Sequence, residues 1–111
     1  MSVRLRNNVQ VIGSGPTTIV FAHGFGCDQN MWRYLAPVFE DRFTVVLFDL
    51  VGSGKSDISA YDFNRYGSLQ AYADDLIEII DDVTTGPVVF VGHSVSAVIG
   101  LLASVTAPET S

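Results

Sequence analysis

One cysteine, two histidines and six basic residues are all that this 111-residue chain has of the groups that most often hold metals, close disulfides or grip phosphate. With Cys27 alone, neither an internal disulfide nor a cysteine-based zinc cluster can form, and no ligand spacing suggests a metal or an organic cofactor. Cys27 reads as a small buried or loop thiol, without a histidine placed as its base. All six basic residues lie at or before Arg65, where six acids balance them, so residues 66–111 carry the whole net charge of -6. A chain this acidic, with no basic cluster, is a poor binder of polyanions, which argues against nucleic acid and anionic membrane as partners. Long hydrophobic runs are missing too. The longest, residues 95–105, is interrupted by Ser96, Gly100 and Ser104 and falls short of the roughly 20 residues that cross a bilayer. The start, Met-Ser-Val-Arg-Leu-Arg-Asn-Asn, is not followed by the apolar stretch of a secretory signal, so a cytoplasmic location is expected.

What the chain does have is apolar residues, 48% of the total against 16% charged, enough to bury one core. The patterning predicts strands over 8–12, 17–22, 44–48 and 87–91. The run 17–22 is β-branched and apolar without alternation, as in a parallel strand covered on both faces. Helices are expected over 29–40, with Asp28 as N-cap and Met31, Trp32, Leu35, Val38 and Phe39 on one face, and over 94–105. A third, over 69–83, has an apolar stripe at Leu69, Tyr72, Ala73, Leu76, Ile80 and Val83. Asp74, Asp75, Glu78, Asp81 and Asp82 form an opposite, solvated stripe. That stripe is a solubilising surface or, alternatively, a docking patch for a basic partner. Residues 49–68, rich in glycine, serine, aspartate and tyrosine, form a long loop expected to rim a site. The alternation of elements predicts an α/β fold, a mostly parallel sheet with helices on both faces.

Chemistry concentrates at Gly92-His93-Ser94-Val95-Ser96, between a strand and the helix that follows. A serine there sits on a tight turn that lifts its hydroxyl from the sheet edge, close to the helix's first amides. The pattern G-x-S-x-G ends here in Ser96 instead of glycine. After the second strand, His23-Gly24-Phe25-Gly26 has the place of a loop whose backbone N–H faces a developing oxyanion. His93 adjoins the serine, where consecutive side chains diverge, and His23 reads as a hydrogen-bonded loop anchor, so neither is expected to be the general base. A rival motif, Gly52-Ser53-Gly54-Lys55-Ser56, ends like a phosphate-binding loop. Asp49 stands where its first glycine should be, and no helical periodicity follows Lys55.

Residues 23–32, 48–57, 61–66 and 89–97 together resemble the α/β-hydrolases, in particular the bacterial sigma-B stress-response regulator branch, with similarity to plant strigolactone and karrikin receptors. The resemblance spans residues 8–109. It implies that Ser94 is the nucleophile, that the amides of Phe25 and Val95 form the oxyanion hole, and that Phe25 and Val95, with Cys27 nearby, contact substrate. The implied ligand is a small hydrophobic ester or lactone. The implied partner, on the signalling alternative, is a regulatory phosphatase. The family's acid and histidine follow the nucleophile in the chain. Downstream of Ser94 there is no histidine, and the one acid is Glu109, followed by Thr110-Ser111 in place of apolar continuation. Residues 1–111 are therefore expected to be a partial domain truncated after the nucleophile helix, inactive by itself. The lid and C-terminal strands would be absent, and the 87–91 strand would be left as an apolar edge prone to aggregation.

Overall fold

The computed structural model describes residues 2–84 and 86–108; Glu109, Thr110 and Ser111 lie outside the described residues. Four strands, β1 (Gln10–Ile12), β2 (Thr17–Ala22), β3 (Phe43–Leu47) and β4 (Val88–Gly92), form one sheet in the order β1-β3-β2-β4. β1 runs antiparallel to β3, whereas β2 lies parallel to β3 and to β4, with Ile19 opposite both Val45 and Val89. Among the described residues three α-helices accompany them: α1 (Val3–Arg6), α2 (Leu69–Val83) and α3 (Val95–Thr106).

The alternating side chains of β2 feed two separate cores, which is why its sequence is apolar throughout. Val20 and Ala22 face α2 and α3, meeting Leu76, Ile79, Ile99 and Ala103. Ile19 and Phe21 face the other way, onto Trp32 and Ala36, with the Phe21 and Trp32 ring centroids 5.1 Å apart. That second face is covered by two 3-10 helices, Gln29–Trp32 and Ala36–Phe39. This corrects the continuous helix expected over 29–40. Asp28 does cap, accepting from Asn30 N at 2.8 Å, but Pro37 has no N–H to extend an α-helix. Leu35 and Val38, assigned to a buried stripe, are exposed as a result.

A second correction concerns Asp75, placed by periodicity in the solvated stripe of α2. It is only 2% exposed. Its Oδ1 meets Arg65 Nη2 at 2.9 Å and Arg6 Nη2 at 3.3 Å, and its Oδ2 accepts from the Tyr66 hydroxyl at 2.7 Å. Burial first, and then donation to Asp75, pushes the Tyr66 phenol above its ordinary pKa, so it remains a donor. Arg6 also reaches Glu78 at 2.9 Å and Arg4 reaches Asp82 at 2.7 Å. The acidic side of α2 is thus the seat of α1, a short helix that the sequence reading did not anticipate.

Two outcomes follow. Asp75→Ala takes the carboxylate from Arg6 Nη2 and Arg65 Nη2 and leaves the buried Tyr66 hydroxyl without its acceptor. It is expected to cost about 3 kcal/mol even with Arg6 still paired to Glu78, read as a lower urea midpoint at unchanged slope. Arg4→Ala, at an exposed pair, is expected to cost less than about 1 kcal/mol. Separately, β4 pairs only with β2 among the described residues; Val89, opposite Ile19, is 47% exposed, and Val98, Leu101 and Val105 of α3 are exposed as well. The 111-residue chain should self-associate in sedimentation at micromolar concentration, and Val89→Lys should suppress it. A sharp, reversible unfolding of a monomer at that concentration would refute the expectation.

Candidate active site

β2, β3 and β4 are parallel, so their C-terminal ends lead into one region: His23 after β2, Phe48 to Leu50 after β3, His93 and Ser94 after β4. The turn from β4 into α3 is very tight. A Cβ on Gly92 would stand 2.8 Å from Ala97 N and from Ser96 C, both main-chain atoms, so only glycine fits. Ser94 has φ 56 and ψ -121, a left-handed conformation that side-chain-bearing residues seldom adopt. It occupies the cap position of α3, yet its hydroxyl makes no capping bond, and the residue is exposed. Among the described residues the hydroxyl has no hydrogen-bond partner and stands at the helix N-terminus.

The loop after β2 packs directly on this turn. His93 N donates to Ala22 O at 3.0 Å, and the buried Ser96 hydroxyl donates to His23 O. A Cβ on Gly24 would lie 2.8 Å from His93 Nδ1 and 3.3 Å from Ser94 Cβ, so the glycine permits close approach. Phe25 N is bonded to the Gly24 carbonyl carbon, and Cys27 N turns back onto Gly24 O at 3.2 Å, with Gly26 at φ 82. Among the described residues, the amides of Phe25 and Val95 donate to no other group of the chain. The Phe25 ring is 55% exposed and meets Tyr72 edge-on at 5.6 Å. Cys27 is exposed in the same loop.

His23 is fully buried. Its Nε2 accepts from Leu50 N at 2.9 Å, so Nδ1 carries the proton and donates to Gly24 O at 2.7 Å. Both ring nitrogens are thereby committed to joining two loops, the anchor role expected of it. His93 is exposed, and no hydrogen bond joins it to the Ser94 hydroxyl among the described residues.

The loop over 49–68 is held from beneath by groups that sequence reasoning missed. Asn7, buried, exchanges bonds with Asp49: Asp49 N donates to Asn7 O at 2.8 Å and Asn7 Nδ2 to Asp49 O at 2.9 Å. Asp57 N donates to Arg6 O at 2.9 Å. These contacts join residues about forty to fifty positions apart, and no local pattern signals them. The Asp49 carboxylate accepts from Gln29 N at 2.9 Å, Asn8 Nδ2 at 2.9 Å and Lys55 N at 3.0 Å. It fills the centre of the glycine-rich turn, and the next helical residues, Ile58–Ala60, are a separate 3-10 turn. The segment is built around its own carboxylate instead of a phosphate. A polar cleft of about 390 Å³ lined by Asn8, Asp28, Gln29, Asp49 and Lys55, among others, lies beside it and includes none of Ser94, Phe25 and Val95.

The alpha/beta hydrolase family matches residues 19–108. The chain is 46% identical over 103 residues to karrikin insensitive 2 receptor CA of Petunia hybrida, covering 93% of this chain and 38% of that protein. It is 46% identical over 102 residues to strigolactone esterase D14 of Arabidopsis thaliana, covering 92% of this chain and 38% of that protein. Among solved structures, a hydrolase from Oleispira antarctica superposes with a TM-score of 0.93 at 46% identity, over 98% of this chain and 40% of its own. The chain thus spans about two fifths of the length of these relatives. No helix among the described residues is long and apolar enough to cross a membrane.

The strain at Ser94 has a measurable consequence. Ser94→Gly removes the side chain that disfavours φ 56 and is expected to raise stability by about 1 kcal/mol or more, read from the urea midpoint.

Proposed function

The chain belongs to the alpha/beta hydrolase family, and on that footing we propose that it carries the nucleophile of a serine hydrolase acting on a small hydrophobic ester or lactone in the cytoplasm. The observation that carries this reading is Ser94, exposed, uncapped and held at φ 56 against the Gly24 loop. In the proposed reaction a histidine takes the Ser94 proton as Oγ bonds to the ester carbonyl carbon. The carbonyl oxygen, now an anion, lies between the amides of Phe25 and Val95, worth roughly 3 to 4 kcal/mol per donor in the transition state. Collapse expels the alcohol, which takes the proton from the histidine and leaves an acyl-serine. Water, deprotonated by the same histidine, attacks the acyl carbon, and the acid is released as Ser94 regains its proton. The exposed ring of Phe25 and the side chain of Val95 are the proposed substrate contacts.

The 111 residues hold no histidine after Ser94, and His23 is committed to its two loops. His93, exposed and not hydrogen-bonded to the Ser94 hydroxyl among the described residues, is not assigned as base either, so on this reading the base and its orienting acid come from outside the 111 residues, which alone are inactive. A second reading is favoured by the 46% identity to a protein named as a receptor. On it, the same site holds a small molecule whose binding or slow turnover is relayed to a protein partner. A regulator of the bacterial sigma-B stress-response type, acting on a phosphatase, would be such a case.

The test takes the reading frame extended beyond Ser111 through a histidine and an acid, and assays p-nitrophenyl acetate. Turnover is expected, and Ser94→Ala should lower it by at least about 1000-fold. Unchanged turnover in Ser94→Ala would sink the serine mechanism, and Ser94-dependent turnover by the 111 residues alone would sink the need for further groups.

A further inference from the structure

We propose that Ser96 is a positioning residue: its hydroxyl, by holding the His23 carbonyl against the first turn of α3, fixes the separation of the Phe25 and Val95 amides. This rests on the serine-hydrolase reading above. The last rung of the β2–β4 pairing is Ala22 opposite Gly92, with His93 N on Ala22 O at 3.0 Å just beyond it. Past that point the two chains separate, β2 into the oxyanion loop and β4 into the turn. The His23 carbonyl is the first acceptor without a strand partner, and the Ser96 hydroxyl donates to it. Both residues are 0% exposed, so water does not substitute for the bond. The bond lies two residues before Phe25 N on one side and one residue after Val95 N on the other. It is therefore a side-chain tie between the two short segments that end in the proposed oxyanion donors.

This gives a chemical meaning to the departure from G-x-S-x-G. Glycine satisfies the steric need for a small residue but offers no donor, whereas Ser96 is small and supplies one. The backbone bonds of the first helical turn, Ser96 N on His93 O at 3.1 Å and Ala97 N on Ser94 O at 3.0 Å, hold the elbow to itself. They do not hold it to the opposite loop.

The experiment uses the extended polypeptide of the preceding subsection, with kcat, KM and the affinity of a trifluoromethyl ketone whose serine adduct places an anion in the hole. Ser96→Ala keeps the bulk and removes the donor. It is expected to lower kcat and ketone affinity together by about 10- to 100-fold with KM within about 2-fold, the scale of a small misplacement of a catalytic donor. Ser96→Gly, which restores the family pattern, should show the same loss and serves if the alanine variant does not fold. Ser104→Ala, which removes a hydroxyl bonded only to Leu101 O of its own helix, should leave all three constants unchanged. Wild-type kcat and ketone affinity in folded Ser96→Ala or Ser96→Gly would overturn the proposal, as would a drop in melting temperature alone or failure of both variants to fold. Any of these leaves the serine mechanism standing if Ser94→Ala is still inactive. An active Ser94→Ala removes both.

Discussion

The contact between the end of β2 and the turn after β4 is the constraint on which the site depends. Parallel pairing brings the two strands to the same edge, but the approach there is closer than ordinary side chains permit. Glycine at 24 and at 92 removes the atoms that would collide with His93, Ser96 and Ala97. Small residues alone would leave the gap unspecified. The His93 amide on Ala22 O and the Ser96 hydroxyl on His23 O define it, and Ser94 takes up the sharp bend in its own backbone. The strain of that bend is tolerated because the strand before it and the helix after it are both anchored in the main core.

Around this contact the chain uses buried polar groups as joints between loops that have little apolar surface of their own. His23 links the loop after β2 to Leu50, Asn7 links the N-terminal segment to Asp49, and Asp49 gathers three donors from separate stretches. Each joint is satisfied on several sides, which is what makes burial of these groups tolerable. The Asp75 cluster follows the same logic with charges. Two guanidinium groups and a phenol surround one carboxylate, and this fastens α1 and the end of the long loop to α2. Tyr66 and Tyr72, 4.9 Å apart, then connect that cluster to Phe25 through tilted and edge-on rings. The floor beneath the Phe25 loop is aromatic, and its outer end is held by ion pairs.

Features that depend on neighbours along the chain were legible in the sequence. The unbroken apolar run of β2, the 3.6-residue period of α2 and the small residues flanking Ser94 each express a local requirement, and the structure places all three where that requirement predicts. Apolar spacing over 29–40 failed as a guide because Pro37 breaks the hydrogen-bond ladder on which a helical period depends. Asp75 failed for a different reason. Periodicity assigns a residue to a face of its helix, but whether that face meets solvent depends on what packs there, and here α1 arrives from sixty-nine positions earlier in the numbering.

By itself the sequence determined the α/β alternation, the tight turn at Ser94 and the glycine-bearing loop that faces it, since each is specified by residue size and type within a few positions. Only the tertiary structure decided which polar groups are free and which are committed. It ties up both nitrogens of His23, turns Ser96 from a steric substitute for glycine into a donor, and leaves the Ser94 hydroxyl without a partner among the described residues. Those outcomes depend on distances between segments that meet only when the strands align, and a hydrogen bond forms over about three ångströms of space regardless of how many residues separate its partners.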